Sequence, residues 1–158
     1  MNILLDEHKR FVEKLLDNRV QFILVGGVAV IYYGYMRTTA DLDIWLNSTE
    51  ENKSRFIEVL KSEKIFAEDI NYLESLDFSL PLVFHIGEEP AKIDFLTAIN
   101  GVSYEEADIM KNYFRSGNYE IPILHLNHLI LSKMTSGRIK DQADIEELQK
   151  IHPDKTVE

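Results

Sequence analysis

Asp41-Leu42-Asp43 places two carboxylates two residues apart in a stretch, 40–46, that alternates apolar and acidic side chains. Alternation with period two is strand behaviour, so both carboxylates share a face, with Cα atoms about 6.6 Å apart. Leu42 and Ile44 then turn toward a core. Lys92-Ile93-Asp94-Phe95-Leu96 repeats the pattern once, with Ile93 and Phe95 on one face and Asp94 sharing the other with Lys92 and Leu96. If the two strands are neighbours, three carboxylates converge. Such a group repels itself, and divalent cations resolve the repulsion. Mg²⁺ takes hard oxygen ligands together with substrate phosphates, and a pair of ions steadies the attacking and leaving oxygens of a phosphoryl transfer. The plainer alternative is the wet face of an edge strand.

Upstream, Gly26-Gly27 closes the apolar run 21–25. Glycines between a strand and a helix leave backbone N–H groups free for a phosphate chain; the alternative is a tight turn that needs positive φ. The spacing is neither G-x-G-x-x-G nor G-x-x-x-x-G-K-[ST], which removes the dinucleotide and Walker readings. Arg37 stands just before the acidic strand and either locks a carboxylate or contacts a phosphate. Thr39 is expected to hydrogen-bond backbone or carboxylate and fix the turn. Lys133 follows Leu126 by seven residues and Leu129 by four, so it lies on the apolar stripe of its helix. A lysine there either snorkels to water or aims its charge at phosphates or at a carboxylate of the metal site. As a phosphate ligand, Lys133→Met leaves folding nearly unchanged or improved and weakens triphosphate binding.

Arg138 and Lys140 add charge where the last two helices meet, and Lys140 and Asp144 have the spacing of an ordinary i,i+4 helix pair. Asp141 and Asp144 are read as local caps or partners, not metal ligands. His8, His85, His125, His128 and His152 share no metal-binding spacing and read as interior or boundary histidines. Tyr32, Tyr33 and Tyr35 either stack a base or pack their helix against the sheet.

Positioning these groups takes an α/β (α+β) scaffold. Apolar spacing predicts a helix over 3–18, a buried strand over 21–25, a helix over 28–35 and a strand over 40–46. Ser48 or Thr49 caps a helix over 50–63, and 65–79 is left open. Segments 80–86 and 92–96 form an antiparallel hairpin, 102–110 a turn or short helix, and Ser116-Gly117-Asn118 marks another hairpin. Helices run from Leu126 to about Thr135 and from Ile139 to about Gln149. The expectation is a short mixed sheet of 21–25, 41–46, 80–86 and 92–96, with the N- and C-terminal helices on one side. One domain covers 1–150, and 151–158 is a frayed tail.

The 158 residues hold 17 Lys and Arg against 27 Asp and Glu, a net charge of −10. That balance argues against extended nucleic-acid binding, which needs a basic footprint. The absence of Cys excludes disulfides, thiolate metal sites and a Cys nucleophile. No apolar stretch reaches the roughly 18 residues of a membrane span, and the charged first ten residues do not read as a signal peptide. A cytoplasmic location is expected.

The run from Val25 to Leu46, VGGVAVIYYGYMRTTADLDIWL, resembles the signature of the nucleotidyltransferase superfamily with the polymerase-β-like fold. In particular it is similar to a small bacterial group related to abortive-infection and toxin–antitoxin nucleotidyltransferases, which read R-x-T-x-D-L-D where this chain has Arg37 to Asp43. Leu129 to Lys133 and Gly137 to Ile145 resemble that group's ending. The resemblance implies that Gly26 and Gly27 hold nucleotide phosphates, with Arg37, Thr39, Lys133 and Arg138 beside them. It implies that Asp41, Asp43 and Asp94 bind Mg²⁺ or Mn²⁺, and that a nucleoside triphosphate is the substrate. The implied activity is transfer of a nucleoside monophosphate to a hydroxyl acceptor. The alternative is a non-catalytic or regulatory member that binds a protein partner, as in a toxin–antitoxin pair.

Overall fold

Phe22–Val25 is apolar at every position, and only a strand with neighbours on both edges and cover on both faces can bury it; this segment is β1. The structure, a computed structural model, describes residues 3–39 and 41–154. β2 (Leu42–Leu46) runs antiparallel to β1 and sets Val25 opposite Asp43. The hairpin of β3 (Val83–Ile86) and β4 (Ile93–Leu96) joins β2 through β4, parallel, with Asp43 opposite Asp94. A second hairpin, β5 (Asn112–Ser116) and β6 (Tyr119–Ile123), joins β1 through β6. The mixed sheet has six strands in the order β3-β4-β2-β1-β6-β5, two more than the four expected, because the hairpin around Gly117 extends it.

The helices are α1 (Asp6–Asp17), α2 (Gly26–Tyr32), α3 (Glu50–Ser62), α4 (Ala67–Ser75), α5 (Tyr104–Met110), α6 (Leu126–Ser136) and α7 (Ile139–Ile151). Thr49 caps α3, its side chain accepting from the Asn52 N–H at 3.2 Å. The open segment holds α4, whose C-terminal end is tied by the buried Lys53: its Nζ donates to the carbonyls of Glu74 and Leu76 at 2.8 and 2.6 Å.

One sheet face is an aromatic core, where Phe95 stacks on Phe84 at 5.4 Å and meets Phe11 of α1 at 5.9 Å and Phe56 of α3 at 4.9 Å. Asp94 alternates with Phe95 and points to the other face, where Leu129 and Lys133 of α6 line a cleft with it. The N- and C-terminal helices therefore cover opposite faces, a correction to the expected one-sided packing. The face that carries the carboxylates needs its own wall.

α2 begins on the glycines themselves, and β2 begins at Leu42; Ala40, which the expected strand included, lies outside the described residues. α7 runs to Ile151, and a ring nitrogen of His152 lies 2.7 Å from the Tyr33 carbonyl, so the expected frayed tail is pinned where it begins. Its residues 155–158 lie outside the described residues. Among the described residues no helix is long and apolar enough to cross a membrane.

Candidate active site

Register builds the site. Val25, Asp43, Asp94 and His85 occupy one row across β1, β2, β4 and β3. Stacking of Phe84 on Phe95 fixes those two side chains on the core face, so His85 and Val83 share the face of Asp94. The row opens into a cleft of about 720 Å³. Asp41, Asp43 and Asp94 form one wall, Lys133, Arg138 and Lys140 another, and Leu82, Val83, Leu96, Ile99 and Leu129 an apolar third.

The two glycines let the motifs touch. A Cβ on Gly26 would overlap the Asp43 carboxylate, with Cγ at 2.8 Å, and Gly26 has φ +69° besides. A Cβ on Gly27 would lie 2.8 Å from the Thr39 Cβ. Only a hydrogen at each position permits this approach. Thr39 Oγ1 in turn donates to the Asp41 carbonyl at 3.2 Å, which fixes the turn as expected.

Asp43 carries the site's electrostatic strain. Burial, then the charges of Asp94 and Asp41, push its carboxyl up to about 6, against a downward pull from Lys140 and Lys133. Asp41 keeps a buried Oδ1 with no hydrogen-bond partner. Lys92 Nζ lies 3.4 Å from Asp41 Oδ2 and 3.7 Å from Asp94 Oδ1. The Asp94 charge, with that of Asp41 behind it, raises the Lys92 pKa despite the opposing effect of burial. A hydrogen bond with Asp41 raises the carboxyl of Glu89, in the β3–β4 turn. Three carboxylates, one with an orphaned buried oxygen, are the hard oxygen donors that a divalent cation takes. The cage is unfinished, however: among the described residues no three His, Asp or Glu side chains are gathered so as to hold a metal ion.

The basic residues are placed otherwise than their spacing suggested. Lys133 lines the cleft, but its Nζ is held by Asp141 Oδ1 at 2.9 Å and Asp144 Oδ2 at 3.0 Å. Neither partner belongs to the carboxylate row. Of the two readings of Arg37, the carboxylate lock is the one formed: its Nε and Nη2 meet Asp144 Oδ1 and Oδ2 at 3.0 and 3.1 Å. Arg138 Nε lies 2.7 Å from Asp141 Oδ2, which Ser136 Oγ also contacts. Burial alone would raise the Asp141 carboxyl; hydrogen bonds from Ser136, Arg138 and Lys133 outweigh it and hold the pKa at about 2. The i,i+4 pair of Lys140 and Asp144 does not form, because Asp144 turns inward to Arg37 and Lys133.

Two residues stand elsewhere than their sequence reading as a helix-pair lysine and a boundary histidine. Lys140 lines the cleft without an ion-pair partner among the described residues, and His85 stands opposite Asp94. Strand period alone would have found His85 once β3 and β4 were paired. The tyrosines pack: Tyr33 Oη donates to the Leu124 carbonyl at 2.6 Å and accepts from Asn112 Nδ2 at 2.9 Å, and Tyr32 contacts Phe114. His125 caps α6, its Nδ1 accepting from the Asn127 N–H.

With fold and site in view, the class is that of the nucleotidyltransferases. Residues 5–158 match the family described as "Nucleotidyl transferase of unknown function (DUF2204)", and the chain belongs to that family. Its fold is similar to that of a nucleotidyltransferase candidate from Thermotoga maritima, at 14% identity and a TM-score of 0.58, over 90% of this chain and 89% of that one. It is similar to the lincosamide antibiotic adenylyltransferase LnuA in its lincomycin-bound form, at 16% identity and a TM-score of 0.56, over 96% and 99% of the two chains. An antigenic nucleotidyltransferase-like protein from Paracoccidioides brasiliensis matches at 12% identity and a TM-score of 0.56, over 91% and 72%. No curated protein sequence matches the chain.

Proposed function

We propose that the protein is a divalent-metal-dependent nucleotidyltransferase that moves a nucleoside monophosphate from a nucleoside triphosphate to a hydroxyl acceptor. The observation that carries this reading is Asp43 packed against Gly26 and registered opposite Asp94, in a cleft with a cationic wall facing it. Asp41, Asp43 and Asp94 would hold Mg²⁺ or Mn²⁺, which neutralises triphosphate charge when bound. Gly26 and Gly27 offer backbone N–H groups to the phosphates, and Arg138 and Lys140 face them from the helical wall. Asp94 takes the proton of the acceptor hydroxyl. That oxygen bonds to the α-phosphorus, the bond from the α-phosphorus to the bridging oxygen breaks, and pyrophosphate leaves. Catalysis of this kind is placement and electrostatics. Arg37 and Lys133 act as positioning residues, holding the 37–39 loop against Gly27 through Asp144.

The adenylyl transfer named for LnuA, a neighbour in fold, supports the reaction class. The Arg37–Asp43 run and the Lys133–Asp144 ending support placement near the abortive-infection and toxin–antitoxin group, where a protein partner is the competing reading. One experiment separates them. Thermal shift with each nucleoside triphosphate, with and without Mg²⁺ or Mn²⁺, should show stabilisation that needs both triphosphate and metal, lost in Asp43→Asn. Absence of any metal-dependent shift in the wild type would overturn the enzyme reading in favour of the partner-binding one.

A further inference from the structure

We propose that Lys92 is a built-in cation that fills one of the two metal positions of the carboxylate row, so that the site takes one divalent ion rather than two. The inference rests on the metal-dependent reading above and concerns how that site is charged. Lys92 immediately precedes β4, and its side chain meets Asp94, two residues further on, from the same side of the strand. Asp41 immediately precedes β2, the parallel neighbour, and the Leu42 N–H approaches the Lys92 carbonyl at 3.4 Å. The ammonium group therefore springs from the sheet itself, between the two carboxylates it meets at 3.4 and 3.7 Å. Only about a quarter of the Lys92 side chain reaches solvent, 28%. It is a mounted charge and not a loose surface lysine.

The carboxylates divide accordingly. Asp41 and Asp94 share Lys92. Among the described residues Asp43 makes no ion pair, with Lys92 or with any other cation. A second ion between Asp41 and Asp94 would have to displace the Lys92 ammonium, and ejecting a partly buried cation toward another cation is costly.

The test counts ions. Bound Mn²⁺ is measured by electron paramagnetic resonance of the free ion, with the full chain saturated by a non-hydrolysable α,β-methylene nucleoside triphosphate. The analogue's own Mn²⁺ is part of the count. The wild type should saturate at one Mn²⁺ per chain, Lys92→Arg should stay at one, and Lys92→Met should rise to two. Two ions in the wild type, or one in a folded Lys92→Met, overturn the proposal while leaving the nucleotidyl-transfer reading intact. No Mn²⁺ held by the wild type with the analogue overturns both. Circular dichroism of each variant confirms that the count belongs to folded protein, and the wild-type count stands as a test even if Lys92→Met fails to fold.

Discussion

Two charged clusters face each other across the cleft, built from the same residue types and opposite in character. On the helical side, Asp141 and Asp144 are almost fully buried and held by Lys133, Arg37 and Arg138, so every carboxylate has cations on it. On the sheet side, one lysine serves Asp41 and Asp94 but not Asp43, whose carboxyl is lifted to about 6. The first is a satisfied network that fixes structure. The second is under-compensated, and that residual charge is what a metal–nucleotide complex would relieve.

Breaking the satisfied cluster should cost most. Asp144→Ala takes the carboxylate from the Arg37 fork and strips Lys133 of one partner, with side chains only 15% and 8% exposed. A loss of about 3–5 kcal/mol in urea unfolding is expected, the scale for a broken buried pair. Lys133→Met should cost less, about 1–3 kcal/mol, because Asp141 and Asp144 keep Arg138 and Arg37. The double partnership of Lys133 thus reverses the near-neutral stability expected from its place on the helix. A stability unchanged within about 0.5 kcal/mol would return Lys133 to a free phosphate ligand.

Acid supplies a third contrast. The Asp141 carboxyl titrates near 2 in the fold, against about 3.9 when unfolded. A lowered carboxylate pKa contributes stability that is complete above the unfolded value and is lost as pH falls from about 4 through about 2. The loss amounts to about 2 kcal/mol. Denaturant titrations between those pH values should show it in the wild type and a flatter dependence in Asp141→Asn. The smallest effect belongs to the sheet side and has the opposite sign. Without metal, Asp43→Asn should gain about 1–2 kcal/mol, since a charge opposed by burial and two like charges is removed. Destabilisation on that substitution would mean the row is already compensated.

Period and glycine placement made the sheet and its carboxylates legible in the sequence. The 22–25, 42–46 and 93–96 strands, the glycine pair and the convergence of Asp43 with Asp94 all follow from alternation once β2 and β4 are neighbours. Local spacing could not reveal partners far along the chain. Asp144 sits four residues after Lys140 and pairs instead with Arg37, 107 residues away. Lys92 was visible on the face of Asp94, yet its contact with Asp41 depends on strand pairing that alternation does not encode. α4 was illegible because its end is held by the buried Lys53 of another helix, a tertiary tie with no sequence period.

β3 ends the sheet and is bonded only to β4, whereas β2 lies between two partners. An end strand of this kind opens by local fluctuation, while a central strand releases its amides only when the whole molecule unfolds. The cleft therefore combines two ranks of rigidity. The carboxylate of Asp43 rides on a strand paired along both edges, and Val83 rides on an edge strand paired along one. The acceptor proposed above, entering along the apolar wall, would meet the edge of the cleft that can adjust, opposite carboxylates held by strands that cannot.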